Sequence, residues 1–420
     1  MKHALPALRP LHLAVILTCL SAAQAHAAEA DPAQSKTALP EISVTATSAT
    51  DTGERTEKST SYRGRRSSTA TGLSLTAAET PQAISTLTHQ QLQDQGLNTV
   101  IEALDQAAGI TVERVESDRT YFTSRGFDVQ NFQLDGFGLP FTNGSQWGDL
   151  DTAIYDHIDI VRGANGLMTG TGLPSATVNF ALKKPTAAFQ ASGAVTVGSW
   201  NKKRAEGDIS GALNADASVR GRLVAAVEDK DSYLDRYHRR LSTIYGALDI
   251  DLTRDTTLSL SWIEQHSNAD SPLWGALPMH YTNGSSTNYD VSTSTAADWA
   301  WWNNSDRRLM AELSHDFGQG WQLKSAMSHR SQRADSELLY VYNQPVAGTS
   351  TGLTAYPSLF QGRYQQDMAT VQVTGPFRLL GRQHDLSAGL TWGQESASEL
   401  SKYADYGSAA RYTDANFDLN

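Results

Sequence analysis

The chain has 420 residues, enough for two or three domains, and 45 acidic against 34 basic side chains give a formal net charge of −11. That balance argues against a nucleic-acid partner, whose phosphates demand a basic surface. The single cysteine, Cys19, excludes a disulfide framework.

Residues 1–27 read as a signal peptide. Lys2 and Arg9 form a positive n-region, Leu11–Leu20 an apolar stretch too short to span a bilayer, and Ala25-x-Ala27 a small-residue cleavage site. Cys19 lies inside the apolar stretch, so the exported chain is expected to carry no cysteine. Residues 28–60, rich in Ala, Thr, Ser, Asp and Glu, read as a flexible segment. It is interrupted at 39–47 by "LPEISVTAT", where Ile42 and Val44 alternate with Ser43 and Thr45 as an extended strand would. Such a segment can add itself to the sheet edge of another protein. It can also be an apolar pair in a linker, which composition alone favours.

Residues 61–186 carry mixed helix and strand signals and predict a compact α+β domain. Thr88 can cap a first helix that Gly96 ends, with Gln91 three residues on in the capping-box position. Asn98 can cap a second, whose Val100, Ile101, Leu104 and Ala108 make one apolar face before Gly109. Strand-like runs follow in "YFTSRGF", "NFQLDGF", "HIDIVRG" and "ATVNFALKK". Gly163, Gly166, Gly170 and Gly172 crowd the stretch between the last two. A phosphate loop would set a lysine beside its last glycine, but Lys183 and Lys184 come much later. The dinucleotide fingerprint is absent too, because Pro174 and Ser175 follow Gly170-x-Gly172. These glycines are expected to serve tight turns needing positive φ.

From residue 187 to 420 the period changes to two. Val219, Leu223, Ala225 and Val227 share one parity, and Arg220, Arg222 and Glu228 the other. Ile244, Leu248, Ile250 and Leu252 oppose Thr243, Asp249 and Asp251; Leu309, Ala311, Leu313 and Phe317 oppose Arg308, Glu312 and Asp316. About nine such strands alternate between tight turns ("LTRDT", "FGQGW", "LLGRQ") and long polar loops at 267–304 and 343–360. One nearly charge-free face with alternating short and long connections predicts an outer-membrane β-barrel. A sheet in lipid cannot leave an open edge, and the last residues, 411–420, are polar, so the chain is expected to be the N-terminal part of a longer protein. No catalytic motif is visible, and His157, His280 and His315 are scattered, so no metal site is expected.

A small domain before a large barrel resembles the TonB-dependent outer-membrane receptors for ferric siderophores, in the branch of coprogen and pyoverdine receptors. "ETPQAISTLTHQQL", "SRGFDVQNFQLDG" and "AIYDHIDIVRGANGLMTGTGLPSATVNFALKKPT" are similar to that family's plug motifs, and the likeness covers nearly the whole chain. It implies an α+β plug domain followed by a transmembrane antiparallel β-barrel, with residues 187–420 holding only the N-terminal strands of a barrel of about 22. The segment Glu41, Ile42, Ser43, Val44, Thr45 and Ala46 then looks like the TonB box. Arg125 and Arg162 resemble plug arginines that pair with glutamates of the barrel wall, Glu312 being one partner of suitable parity. Residues 28–39 leave no room for the extra signalling domain of some relatives, so transport without that role is expected.

The resemblance further implies a receptor in the outer membrane of a Gram-negative bacterium that binds a ferric siderophore outside and imports it. Its partners would be TonB with the inner-membrane energising complex, the siderophore and outer-membrane lipid, with the receptor itself a monomer and no nucleic acid involved. No cofactor is expected, since iron arrives already chelated. The pocket should be aromatic with one or two cations. Plug candidates are Arg119, Tyr121 and Trp147; loop candidates are Trp274, Trp299, Trp301 and Trp302. Trp262 and Trp392 share the lipid-facing parity and fit an interfacial girdle. A passive porin would lack the plug, whereas a receptor for haem, cobalamin or a carbohydrate would share it.

Overall fold

The computed structural model describes residues 53–138, 144–170, 173–349 and 351–403. The signal peptide, the segment 41–46 and Gly172 lie outside the described residues. In chain order the N-terminal domain holds β1 (Ala83–Leu87), α1 (His89–Asp94), α2 (Val100–Asp105), β2 (Thr111–Arg114), β3 (Arg119–Ser124), β4 (Phe127–Asp128), β5 (Asn131–Leu134), β6 (Phe137–Gly138), β7 (Gln146–Trp147), β8 (Tyr155–Arg162), α3 (Gly166–Thr169) and β9 (Ala176–Leu182). Nine further strands follow: β10 (Gln190–Val197), β11 (Lys203–Ala212), β12 (Val219–Asp231), β13 (His238–Asp251), β14 (Thr256–Asp270), β15 (Trp301–Gly318), β16 (Trp321–Tyr342), β17 (Thr354–Leu379) and β18 (Arg382–Tyr403).

The expected α+β domain is present. Its main sheet has the order β1-β8-β9-β5-β6, with β5 and β9 parallel, and a smaller sheet joins β2, β3, β4 and β7. Strand β8 is buried along nearly its whole length, and Val224, Tyr245 and Ile263 of the long sheet join the same apolar cluster. Ile158 and Ile160 there, with Phe132, Val178 and Leu104, form the centre of the core. Each such side chain contributes roughly 1.5–3 kcal/mol by leaving water.

Thr88 caps α1, its hydroxyl accepting from the Gln91 amide at 3.3 Å. The cap of α2 is Thr99, one residue later than expected. A capping box needs a carboxylate three residues after the cap, and Glu102 stands at that distance from Thr99, whereas Ile101 stands there for Asn98. Glu102 accepts from the amides of both Thr99 and Asn98, at 3.1 and 3.0 Å. Gly163 (φ 101°) and Gly170 (φ 69°) serve the left-handed turns expected of them, but Gly166 opens α3 and makes no turn.

The nine strands β10 to β18 form one antiparallel sheet in sequence order. They lengthen along the chain from eight residues in β10 to 26 in β17. Trp301 and Trp302 lie on β15, because the long connection occupies only 271–300. Asn303 and Asn304, placed by the sequence in the loop 267–304, also lie on β15, and Asn304 is buried on the inward face with Asp306 and Arg308.

The other face is apolar over a band of fixed height. One row crosses six strands as Leu248, Leu260, Ala311, Met327, Ala369 and Trp392. A row on one side joins Ile250, Leu258 and Leu313; on the other side lie Gly246, Trp262 and Leu309. Beyond Trp262 the next outward pair is charged, Glu264 opposite Arg307. The band therefore ends at tryptophan, as an interfacial girdle requires.

Candidate functional site

Two arrangements on the inner face of the sheet carry the chemistry: a set of ion pairs that fix the plug to the wall, and an aromatic cleft above it.

The ion pairs run mostly from acids of the plug to bases of the wall. Asp151 meets Arg204 of β11 by two bonds, at 2.6 and 2.9 Å, and Asp149 pairs with Arg239 of β13. Glu57 meets Arg222 of β12 at 2.8 and 2.5 Å. In the opposite sense, Lys183 reaches Asp208 of β11 at 2.9 Å. Each guanidinium is nearly or wholly buried, so its charge is tolerated only because carboxylates fill its fork. Asp151 and Asp149 also fix the backbone: their amides donate to Gln265 and Ser267 of β14, at 2.7 and 3.0 Å.

Arg125 and Arg162, expected to make these contacts, do not make them in the described structure. The Arg162 guanidinium donates to Ala108 O at 2.7 Å and Ser85 Oγ at 3.3 Å, both within the plug. Arg125 lies against Gly163, where a Cβ would meet its Nη1 at 2.9 Å. The signal missed was charge order along "WGDLD": acids just after an apex tryptophan have no solvent to face and need wall cations.

The cleft is built from period-two alternation. Wall positions Trp302, Tyr340, Tyr342, Tyr356, Phe360, Tyr364 and Tyr403 share the inward face of β15 to β18. Trp147 of the plug stands on this wall, its ring 5.3 Å from Tyr364 edge-on and 6.5 Å from Trp302. Trp274, from the long connection, inserts between Tyr340 at 5.3 Å and Phe360 at 5.1 Å. Tyr403 continues the surface, 5.7 Å from Tyr356 and 5.6 Å from Phe360. Rings in such edge-on and stacked contacts form a rigid apolar surface with hydroxyl tips, suited to a flat organic shell.

The remaining candidates divide. Arg119 lies opposite Trp147 in the β3–β7 ladder, and Tyr121 shares its face two residues on. The Arg119 guanidinium is already held by Glu116, a buried carboxylate, at 2.6 Å through Nε. Trp299 is half exposed in the long connection, and Trp301, of opposite parity to Trp302, faces outward beside Asp270 and Glu337. Trp301 is therefore corrected from the cleft to the outer surface: adjacent strand residues cannot share a face. The missed tyrosines had a readable signal, since Tyr356, Phe360 and Tyr364 recur at even spacing.

Beside Trp147, Asp118 links plug and wall. Its side chain accepts from Ser117 Oγ at 2.7 Å and from Tyr237 Oη at 3.2 Å, while the Ser117 amide donates to Leu273 O at 3.2 Å. Burial pushes the Asp118 carboxyl up to about 6, against the Ser117 hydrogen bond and the charge of Arg239.

Residues 76–177 match the family model of the TonB-dependent receptor plug domain. The ferric-pyoverdine BN7/BN8 receptor of Pseudomonas putida is 35% identical over 387 residues, covering 91% of this chain and 48% of that protein. The ferripyoverdine receptor of Pseudomonas aeruginosa is 36% identical over 342 residues, covering 80% and 42%. The crystal structure of the outer-membrane ferripyoverdine receptor of Pseudomonas aeruginosa bound to ferripyoverdine superposes with a TM-score of 0.80 at 34% identity, over 83% of this chain and 47% of that one. The chain spans about half the length of the curated relatives it matches.

Proposed function

Because this chain belongs to the TonB-dependent receptors of the outer membrane, we propose that the whole protein binds a ferric siderophore at the cell surface and imports it into the periplasm. The observation that carries this reading is the cleft: rings of four wall strands and Trp147 of the N-terminal domain line one aromatic surface on the inner face of the sheet. A passive pore has no use for such a surface. A chelated iron complex is too large for an ordinary pore and presents a flat organic shell that the rings can cover. Iron would enter as cargo inside its chelate, with no resident cofactor.

The outer membrane holds no ATP, so the work must come from the periplasmic side. Glu41–Ala46 would pair as an added strand with TonB, which transmits the inner-membrane proton gradient. The relatives named for ferric pyoverdine favour a siderophore of that class as cargo. The test is iron-limited growth of a deletion strain fed single siderophores, with deletion of Glu41–Ala46 as a control. Growth lost on one siderophore only, and lost again with the segment deletion, supports the reading. Dependence on haem, cobalamin or a carbohydrate instead would reassign the cargo, and uptake surviving the deletion would remove the TonB coupling.

A further inference from the structure

Both ends of the plug chain meet at one wall residue. Arg222 of β12 binds Glu57, at the entry of the plug, and also donates to Lys184 O, at its exit, at 3.0 Å. The entry strap has a second anchor inside the plug: Asp156 of β8 accepts from the amides of Thr56 and Glu57 at 2.9 and 2.7 Å. The Thr56 hydroxyl adds a bond to Asp156 O at 3.0 Å, and itself accepts from the His89 amide at 2.9 Å. Thr56 is buried, and the strap follows soon after the segment 41–46.

Both anchors also have a second partner. If Glu57 leaves, Arg222 keeps Asp208 through two bonds, at 2.9 and 2.6 Å, and Asp208 keeps Lys183. If the Thr56 and Glu57 amides leave, Asp156 keeps the His157 imidazole at 2.5 Å. Breaking a buried ion pair is normally expensive because one charge is stranded. Here Arg222 and Asp156 each keep a bonded counter-ion, and Arg222 and Lys183 then share the one carboxylate of Asp208, so the strap's departure weakens a buried charge cluster without leaving any of its groups unpartnered. Asp151–Arg204, by contrast, lies far along the chain from the strap and fixes the plug body.

From this geometry we infer that Glu57, Arg222 and Asp156 are the release clamp of the receptor, the contacts that yield first when the chain is pulled from the periplasm. They are positioning residues: they touch no cargo, and they set how readily the strap is surrendered to TonB. The inference rests on the transport reading above.

The test uses the intact receptor in outer-membrane preparations and the purified periplasmic domain of TonB, with no cargo present. Glu57→Gln and Asp156→Asn are each expected to raise cargo-free affinity for that domain about 10-fold, with siderophore affinity unchanged. Wild-type affinity in both variants would overturn the inference. A locking arm covers a variant that fails to fold: Glu57→Cys with Arg222→Cys, bridged by a flexible bis-thiol reagent. Cys19 is the one cysteine of these 420 residues, and any other cysteine of the intact receptor is first replaced by serine so that the bridge is site-specific. Bridged receptor should bind siderophore yet lose uptake, and regain uptake when a cleavable bridge is cut; uptake through an intact bridge would sink the clamp. A receptor for which no siderophore is found would fail the transport reading while leaving the TonB-affinity result interpretable.

Discussion

The Asp151 carboxylate of the plug and the Arg204 guanidinium of the wall meet fork to fork, Nη1 to Oδ2 at 2.6 Å and Nη2 to Oδ1 at 2.9 Å. Both side chains are almost completely removed from solvent. A planar fork matched to a carboxylate fixes orientation as well as charge. The pair lies four residues from Trp147 along the chain, so the segment that faces the cleft is also the one that ties the plug to β11.

Asp151→Ala should loosen the plug by about 3 kcal/mol, the low end of the range for one-sided removal of a buried pair, because Arg204 keeps Glu206 at 2.8 Å. Urea titration followed by protease access to the plug reads this directly. Release at the wild-type urea concentration would show that the pair carries no net attachment.

Trp147→Ala should weaken siderophore binding by about 30-fold, roughly 2 kcal/mol, since the ring anchors against Tyr364 and Trp302. Arg119→Gln should change it only a few-fold, because Glu116 already occupies that guanidinium. Equilibrium binding to purified receptor separates the two; a larger loss from the arginine would mean that it turns from Glu116 to the ligand.

Asp118 should make the plug–wall junction pH-dependent. Its folded value, about 6, lies above the ordinary 3.8, so between those values the folded state holds a proton that the unfolded state has released. Stability from this group therefore falls as pH rises from about 4 to 6 and levels off above that range. Asp118→Asn should flatten the slope in thermal unfolding measured at several pH values. An unchanged slope would assign it to other groups.

Leu248→Arg, in the middle of the outer apolar band, should cost about 2–4 kcal/mol, while Asn303→Arg, outward but above the band, should cost little. The shift from folded to unfolded mobility on unheated gels compares the two. Equal tolerance would mean that Leu248 does not face lipid.

Much of the architecture is legible residue by residue. Val219, Leu223, Ile244 and Leu248 have the outward parity that alternation assigns, opposite the buried Arg222, Glu228 and Thr243. The turns at "LTRDT", "FGQGW" and "LLGRQ" fall between the strands they were expected to join. The α+β character of residues 61–186 and the cap at Thr88 also read directly. Trp147, Trp274 and Trp302 come together in the cleft, whereas Trp301 does not, because one step along a strand reverses the face.

Periodicity is local, and it survives in any sequence whose alternate residues must meet lipid on one side and polar surface on the other. The sequence by itself therefore determined the sheet, its two faces and the domain before it. Partnership across the domain boundary is not local. Which plug acid meets which wall arginine depends on how a folded body seats against a sheet more than fifty residues away in sequence, and only the tertiary structure decided that Glu57 meets Arg222 and Asp151 meets Arg204. The same holds for Arg162: a charge in the expected motif found a nearer acceptor, Ala108 O, because packing sets which acceptor a half-exposed cation meets.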